Sequence, residues 1–562
     1  MTAVLAPLAR AGYVLRYDMV FVPRQPLTWN LIAPIGTMPR AVPEDALVSL
    51  SALIAPGWLV QRVALAGILA AAAIGAGRLV PTRRVLTRLV AALAYAWTPF
   101  LAERLLIGQW GLLLCYAALP WIVSAARDLR LGHPRAGARL VLAAACASVT
   151  PTGGLIALAT TVALVPPAGP ARRWPPGHTP TDPAWRRRRR EGRVAVAAVA
   201  ALNAPWLVVA ATSSMIRVTT PEAVAMFSAR AENWAGALVA LAGTGGIWNA
   251  LAVPASRSGP LVPLVTLVLV AVAVAGFGPL RRRWPEGTAT RLARLAGFAL
   301  FFSAIGVLPG TSGTLRTAVD LLPGAGLFRD GQKFLMPYVL LLALCLALGA
   351  EWLADRLTAV GGGLVLAGFL LLPVVALPDL AWGAGGKLRP VEYPAEWATV
   401  AAAVAEAPGP VLSLPMSAYR AYPWNPGTVV YDPASRYLPA PVIMDDRLRI
   451  SVERGFQTTR GESDTAEAVQ ERLEAHGPAA DDRIRWVLVQ VDAAGSVPAT
   501  ALAGLVPVHR GPGMELYSNP GYRAMGGAPV WATAGYVLAG LVVAIAGWRR
   551  LALGRAMRRK TR

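Results

Sequence analysis

The sequence predicts a polytopic bundle of membrane-spanning α-helices that carries a small extracytoplasmic α/β domain near its C-terminus. The 562 residues are 55% hydrophobic and only 15% charged, and their mean hydropathy is +0.49. Soluble domains usually contain about 25% charged residues. The low charge excludes an ordinary cytosolic enzyme and a disordered chain, and the long apolar runs indicate several membrane spans.

The apolar runs predict about twelve spans, since a bilayer core about 30 Å thick requires roughly 20 apolar residues in a helix. Thr2–Leu15 predicts a short first span, which is either a tilted helix or the end of a chain that begins upstream of Met1. Leu140–Val165 is interrupted by Thr150-Pro151-Thr152-Gly153-Gly154 and predicts two short helices. The other predicted spans are Trp58–Gly77, Leu86–Leu101, Trp110–Ala126, Val194–Ser213, Leu261–Phe277, Leu295–Leu308, Met336–Leu353, Val360–Leu377 and Val530–Trp548.

Positive charge is distributed unevenly between the predicted loops. The net charge is +23, and most cations lie in alternate loops, including the run Arg186–Arg190. This pattern indicates topology and a lipid bilayer as partner, not a nucleic acid, because loops rich in Arg and Lys remain in the cytoplasm. It predicts a multi-pass protein of the plasma membrane with both termini in the cytoplasm and residues 378–526 outside the cell.

Residues 378–526 form the predicted outer domain. Their composition is mixed polar and charged, Val411–Leu414 and Trp486–Val491 predict buried strands, and Asp464–His476 predicts an amphipathic helix. Residues 1–377 are therefore the predicted transmembrane core. Residues 527–562 contain the last predicted transmembrane helix and a basic cytoplasmic tail.

The sequence contains no motif for a metal or an organic cofactor. The three cysteines, Cys115, Cys146 and Cys345, lie in apolar runs, and the four histidines lack the spacing of metal ligands. The glycine-rich segment 243–249 lacks the pattern of a phosphate-binding loop. We predict no cofactor and no metal site, and a divalent metal stays open only as an alternative without a supporting motif.

The first predicted outer loop supplies the candidate catalytic carboxylate. It begins Arg16-Tyr17-Asp18-Met19, where a span would emerge from the bilayer. A carboxylate at such a boundary is suited to act as a general base. Glu44 and Asp45, further along the same loop, are the alternates. A structural interpretation also stays open, in which Asp18 pairs with Arg16 or Arg24, because paired charges are the usual state of such groups.

Polar residues near the ends of other spans predict the lining of an outer cavity. Arg329 and Lys333 precede a predicted span and suit a phosphate group, which Arg binds as a bidentate fork and Lys as a point charge. The alternative for these two cations is an ion pair with Asp330. The predicted cavity-lining residues are Glu103, Gln109, Asn203, Trp248 and Asn249.

Three short stretches and the layout of the chain resemble a known superfamily. The stretches are Asn203-Ala204-Pro205-Trp206, Gly245-Gly246-Ile247-Trp248-Asn249 and Phe328-Arg329-Asp330-Gly331-Gln332-Lys333-Phe334. Together with a long first loop that opens near an acidic residue, they resemble the C-type (GT-C) superfamily of integral-membrane glycosyltransferases. Within it, the membrane cores of actinobacterial arabinofuranosyltransferases are the most similar, and the resemblance covers most of residues 1–377.

The resemblance implies an enzyme of cell-wall biogenesis that takes a sugar from a polyprenyl-phosphate donor. It would transfer the sugar to a cell-envelope glycan or lipid acceptor on the extracytoplasmic side. In this superfamily an acidic residue of the first outer loop deprotonates the acceptor hydroxyl, and Asp18 matches that residue by placement. Cations stabilise the leaving phosphate, a role that we assign to Arg329 and Lys333 first, and then to Arg16 and Arg104.

The sequence departs from the superfamily pattern in three ways. It has no Asp-x-Asp pair in the first loop, its first predicted span is short, and its outer domain is small. These departures leave open a non-catalytic scaffold or binding protein in envelope polymer assembly. A transporter of lipid-linked sugars is a further alternative, which the scarcity of ionisable residues at mid-membrane disfavours.

Overall fold

The computed structural model of the chain describes residues 2–34, 39–165, 183–212, 221–308, 310–311, 313, 317, 321, 324–447, 449–452, 455–458, 461, 463–491, 495–524 and 529–560. Within these ranges, seven helical segments are long and apolar enough to cross a membrane: Gly57–Leu79, Val85–Leu106, Trp110–Leu131, Val262–Arg283, Gly331–Ala354, Ala359–Ala376 and Val530–Ala552. A pair of helices bent by 52°, Arg186–Ala201 and Ala204–Ala211, would make an eighth span. The chain is a multi-pass membrane protein.

The remaining helices of the core are shorter. Ala136–Ala147 and Pro151–Leu164 confirm the predicted pair of short helices. The break between them ends at Thr150, whose hydroxyl accepts the Gly153 amide at 3.2 Å and so caps the second helix. The sequence predicts about twelve spans. In the described part of the chain, seven or eight segments have the length and composition of a span. The other short helices are Thr2–Leu5, Trp29–Ile32, Glu44–Ser51, Pro221–Met226, Gly236–Ala242 and Thr288–Ala304.

The predicted first span, Thr2–Leu15, does not form, and this prediction is wrong. The helix Thr2–Leu5 continues only as the single 3₁₀ turn Ala6–Ala9. Gly12 then adopts a φ of 117°, which L side chains rarely adopt. The next residues, Tyr13–Val14, pair as an antiparallel strand with Pro390–Val391. The backbone of this segment therefore finds its hydrogen-bond partners in a distant part of the chain.

Two spans, Val262–Arg283 and Met336–Ala354, pack closely through glycine. A Cβ at Gly276 would clash with the Cys345 carbonyl, and a Cβ at Gly349 would clash with the Val272 carbonyl. Small residues permit this approach of two backbones, which is typical of helix pairs in membranes. The two helices are therefore in backbone contact along this part of the bundle.

The C-terminal part contains an α/β domain built on one mixed sheet. Its five strands lie in the order Val506–Arg510, Met514–Ser518, Trp486–Gln490, Val411–Leu414 and Val442–Ile443. The predicted strands are confirmed, and so is the predicted helix, which runs from Asp464 to Glu474 and buries Ala466 and Val469. The other helices here are Glu396–Glu406, Ala434–Tyr437 and the final helix Thr533–Lys560, whereas Ala381–Gly386 is a turn whose inner residues have positive φ. Two further hairpins are Tyr419–Ala421 with Val429–Tyr431 and Arg449–Val452 with Gly455–Thr458.

The domain contacts the beginning of the chain directly. The Tyr17 amide donates to the Val429 carbonyl at 2.7 Å, and the Tyr431 amide donates to the Tyr17 carbonyl at 2.9 Å. The Asn425 side chain donates to the Leu15 carbonyl at 3.1 Å. These bonds place the hairpin Tyr419–Tyr431 immediately beside Asp18.

Candidate active site

Charged and polar side chains converge at one end of several spans. Arg104 lies in the last turn of Val85–Leu106, Gln109 directly precedes Trp110–Leu131, and Asp330 directly precedes Gly331–Ala354. Asp18 reaches the same place from the segment that precedes Gly57–Leu79. The chain reverses direction in the short connection between Val85–Leu106 and Trp110–Leu131, which brings Arg104 and Gln109 to the same end of the bundle.

Asp18 lies in a tight turn of the first loop. The amide of Arg16 donates to the Met19 carbonyl at 3.1 Å and the amide of Met19 donates back to Arg16 at 2.9 Å, so Tyr17 and Asp18 form the tip. The Asp18 amide also donates to the Ile107 carbonyl at 3.2 Å. The turn fits against Gly108, where a Cβ would clash with the Met19 amide. The backbone of Asp18 is therefore fixed against the helical hairpin at 107–109.

The Asp18 carboxylate is bound from two sides. Tyr419 of the C-terminal domain donates its hydroxyl to Oδ1 at 2.6 Å, and Gln109 donates Nε2 to Oδ2 at 3.3 Å. Arg16 instead donates Nε to the Leu106 carbonyl at 2.7 Å. Across the described part of the chain, no ion pair links Asp18 to Arg16 or Arg24. The carboxylate is held by neutral donors, which orient it without neutralising its charge.

Arg104 lies at the centre of the buried polar network. Its guanidinium donates to both carboxylate oxygens of Asp330, at 2.7 and 2.9 Å, and to the Gln109 side-chain oxygen at 2.8 Å. It also donates to Gln332 Oε1. Burial alone would raise the pKa of Asp330, but Arg104 holds that pKa below its usual value. The closest partner of Asp330 is thus Arg104, while the alternative pairing with Lys333 is present as a longer ion pair.

Two predicted phosphate-binding cations remain nearby. Lys333 Nζ lies 3.9 Å from Asp330 Oδ2, and its side chain is 24% exposed. It is also within electrostatic range of Asp18. The Arg329 guanidinium stacks over the Phe227 ring at 4.2 Å, and Trp248 packs against the same ring at a centroid distance of 4.6 Å. Lys333 therefore has a looser ion pair with Asp330 than Arg104 has, and its charge acts on Asp18.

The two alternate carboxylates also lie beside Asp18. Arg436 of the C-terminal domain donates Nε to Asp45 Oδ1 at 2.9 Å and Nη1 to the Asp18 carbonyl at 3.3 Å. Glu44 is half-buried and its carboxylate lies directly against Gly111. Burial, aided by the charges of Asp45 and Asp18, raises the pKa of Glu44 to about 8, although Arg436 opposes the rise. At neutral pH Glu44 is therefore largely protonated, so it suits a hydrogen-bond donor better than a base.

Glu103 belongs to the same buried polar network. It accepts a hydrogen bond from Gln332 Nε2 at 2.8 Å, and the same nitrogen donates to the Gly245 carbonyl at 3.2 Å. Glu232 accepts from Arg257 Nε at 2.7 Å and from the Gly246 amide. Gln332 thus joins the glycine-rich segment 243–249 to Arg104.

Two predicted cavity-lining residues lie elsewhere or have local roles. Asn203 donates to the Val199 carbonyl at 3.1 Å and accepts from Trp206 at 3.0 Å, so it stabilises the bend between two helices. Asn249 accepts from the Leu251 amide at 3.0 Å and caps a 3₁₀ turn. In both residues the side-chain amide forms hydrogen bonds with nearby groups at a helix break. No described contact joins either residue to Asp18.

Sequence reasoning did not select Tyr419 or Arg436 as site residues. Arg436 lies in the short helix Ala434–Tyr437, and Tyr419 begins a hairpin strand. No local pattern distinguishes either residue, because their partners Asp18 and Asp45 lie in the first loop. Gln332 is part of the stretch that carried the family resemblance, yet its contact with Arg104 was not predicted.

Comparison with known proteins identifies the fold. No family model and no curated protein matches the sequence. Two solved structures of the arabinofuranosyltransferase AftD from Mycobacteria match 92% and 93% of this chain with TM-scores of 0.54 and 0.55, the second being a mutant. The chain therefore shares its fold with part of these two structures. Sequence identity to the two structures is 17% and 18%, and the chain spans only 39% and 41% of their length. The predicted resemblance to the membrane cores of arabinofuranosyltransferases is confirmed as a likeness in fold.

Proposed function

We propose that this GT-C-like protein is a glycosyltransferase that uses a polyprenyl-phosphate sugar donor and acts on a cell-envelope glycan or lipid. The observation that carries the proposal is the Asp18 carboxylate, which neutral donors orient at one end of the spans and which lies within electrostatic range of Lys333. A general base and a cation within one site are what transfer from a lipid phosphate requires. The similarity in fold to AftD supports the same reaction class.

The proposed chemistry is a single displacement. Asp18 accepts the proton of an acceptor hydroxyl, and the hydroxyl oxygen forms a bond to the anomeric carbon of the donor sugar. The bond between that carbon and the phosphate oxygen breaks, and the electron pair leaves with the lipid phosphate. Lys333 stabilises the negative charge on the leaving phosphate, because a fixed cation is most effective where charge develops.

Arg329, Arg104 and Arg16, the other predicted cations, have different roles in this proposal. Arg329 lies on the side of Phe227 and Trp248 and can contact the donor phosphate or sugar ring. The two terminal nitrogens of Arg104 are engaged by Asp330, Gln109 and Gln332, so we propose that Arg104 holds these side chains in place. Arg16 is buried against Leu106, next to the base. The polyprenyl tail would lie among the apolar spans.

The proposal includes an orientation in the membrane. Both termini lie in the cytoplasm, and the site with the α/β domain faces the cell exterior, as the positive-inside pattern predicts. Arg447 on the domain and Arg549 near the C-terminal end of the last span are both exposed. In a cysteine-free background, Arg447→Cys should react with a membrane-impermeant maleimide in intact cells, whereas Arg549→Cys should react only after lysis. Labelling in the reverse pattern would contradict this orientation.

The test of the activity is transfer from a polyprenyl-phosphate sugar by the purified chain in lipid nanodiscs. Asp18→Asn should lower turnover by about 10²–10⁴-fold, the usual contribution of a general base. Asp445→Asn removes a carboxylate that pairs with Arg447 on the domain surface and is the matched control. Transfer by the wild-type chain that Asp18→Asn leaves intact would remove Asp18 from the reaction. Binding of donor without transfer by the wild-type chain would instead indicate the non-catalytic scaffold.

A further inference from the structure

Two side chains of the C-terminal domain reach the carboxylates of the first loop. Tyr419 binds the Asp18 carboxylate, and Arg436 binds Asp45 together with the backbone of Asp18. We propose that Tyr419 and Arg436 are positioning residues of the candidate active site, so that docking of the domain completes the catalytic centre. The inference rests on the proposed function, in which Asp18 is the base.

Docking of the domain does not depend on these two side chains alone. Backbone hydrogen bonds join Tyr17 to Val429 and Tyr431, and Asn425 binds the Leu15 carbonyl. Tyr13–Val14 adds a further strand pairing with Pro390–Val391. A substitution that removes only a side-chain contact should therefore leave the domain docked, which separates positioning from folding.

The Tyr419 hydroxyl constrains how Asp18 works. At 2.6 Å it occupies Oδ1, whereas Gln109 approaches Oδ2 only to 3.3 Å. The shorter bond fixes the carboxylate plane and leaves Oδ2 as the oxygen that accepts the proton. Burial and then the charge of Asp18 raise the pKa of Tyr419 well above its ordinary value, so the phenol remains a donor at physiological pH.

Arg436 organises the charges around the base. Its guanidinium pairs with Asp45 and lies close to Glu44, while its side chain is only 12% exposed. The groups that act on Glu44 are Asp45 and Asp18 from the first loop and Arg436 from the domain. Arg436 thus offsets the charge of Asp45, which lies beside the protonated Glu44, and without Arg436 we expect Asp45 to reorient.

The first experiment measures transfer by variants with matched controls. Tyr419→Phe removes one hydroxyl, and Tyr517→Phe removes a hydroxyl with the same 2.6 Å bond to a carboxylate, Glu515, far from the site in the same domain. Arg436→Gln is matched by Arg447→Gln, whose arginine pairs with Asp445 at 2.8 Å on the domain surface. We expect Tyr419→Phe and Arg436→Gln to lower kcat about tenfold or more at nearly unchanged donor KM, with Arg436→Lys intermediate, because misplaced groups slow the chemical step. Activity within about twofold of both controls would overturn the proposal.

The second experiment does not depend on activity. A water-soluble carbodiimide with a glycine ester modifies protonated carboxyl groups, and mass spectrometry of the full chain in nanodiscs follows Glu44 across pH. In the wild-type chain, modification of Glu44 should fall through a midpoint near 8. Because Arg436 opposes the raised pKa of Glu44, Arg436→Gln should move this midpoint upward, and Arg447→Gln should not. An unchanged midpoint would overturn the positioning role, whereas absent transfer with a shifted midpoint would overturn the proposed function alone.

Discussion

Gln109 joins Asp18 to Arg104 through a single amide group. Its Nε2 lies 3.3 Å from Asp18 Oδ2, and its Oε1 accepts from Arg104 Nη1 at 2.8 Å. Because a guanidinium can only donate, the amide oxygen must face Arg104 and the amide nitrogen must face Asp18. The bidentate pair with Asp330 holds Arg104 in place, and Arg104 in turn orients the Gln109 amide. Asp18 therefore faces the nitrogen of this amide.

Gln109→Glu should slow transfer. The glutamate oxygen still accepts from Arg104, but the second oxygen faces Asp18 and repels it. We expect kcat to fall about tenfold or more, with the donor KM little changed, since the lost contact orients the base and not the donor. Steady-state kinetics of transfer measure the effect. Gln470→Glu, on a surface helix of the domain, is the control, and equal kinetics for the two variants would contradict the bridging role.

Asp330→Asn should destabilise the core. The Arg104 side chain is fully buried and the Asp330 side chain is 3% exposed, so the substitution leaves a buried guanidinium without its counter-ion. Removing one partner of a buried pair costs about 3–5 kcal/mol. Asp445→Asn breaks a more exposed pair with Arg447 and should cost about 1 kcal/mol or less. Thermal unfolding in detergent compares the two, and similar melting temperatures would show that the Arg104 pair contributes little.

The stability of the chain should depend on pH through Glu44. Its ordinary pKa is 4.5 and its folded pKa is about 8, so the folded chain holds a proton that the unfolded chain releases. Stability contributed by this group therefore falls as the pH rises from about 4.5 to about 8 and then levels off. Relative to Glu44→Gln, the wild-type chain should lose melting temperature across this window. Parallel melting curves for the two chains at every pH would contradict the raised pKa.

Gly111→Ala should displace Glu44. A Cβ at Gly111 would overlap the carboxylate of Glu44, because the second residue of the helix Trp110–Leu131 packs directly against it. We expect slower transfer and a changed pH profile of carbodiimide modification at Glu44. Gly297→Ala is the control, since a Cβ at Gly297, also within a helix, meets no atom within 4 Å. Unchanged modification of Glu44 would mean that the helix backbone shifts to accommodate the new Cβ and that Glu44 keeps its position.

Lys333→Gln should weaken binding of the donor. A side chain that contacts the phosphate in both the bound and transition states contributes to KM, and its charge contributes to kcat. We expect the donor KM to rise about tenfold, with Lys333→Arg partly retaining affinity. The combined variant Arg329→Ala with Lys333→Ala should bind the donor still more weakly in a direct binding assay. Full retention of binding by the combined variant would reject the phosphate role of both cations.

Local signals in the sequence predicted much of the framework. The apolar runs predicted the long spans, and Thr150-Pro151 predicted the break between the helices Ala136–Ala147 and Pro151–Leu164. Val411–Leu414 and Asp464–Glu474 followed from hydrophobic patterns within a few residues. Thr2–Leu15 failed because its apolar composition also suits a strand, and Tyr13–Val14 finds a partner in Pro390–Val391 that no local pattern encodes.

The sequence by itself determined that the chain crosses the membrane and that an α/β domain follows the core. It also singled out Asp18 as a candidate base. These results depend only on hydropathy and on position along the chain, which neighbouring residues define. Only the tertiary structure decided what holds Asp18. Tyr419 lies 401 positions away from it, and Arg436 lies 391 positions away from Asp45. A hydrogen bond requires atoms about 3 Å apart in space and carries no constraint on their separation along the chain. Such contacts form only once the domain packs against the first loop.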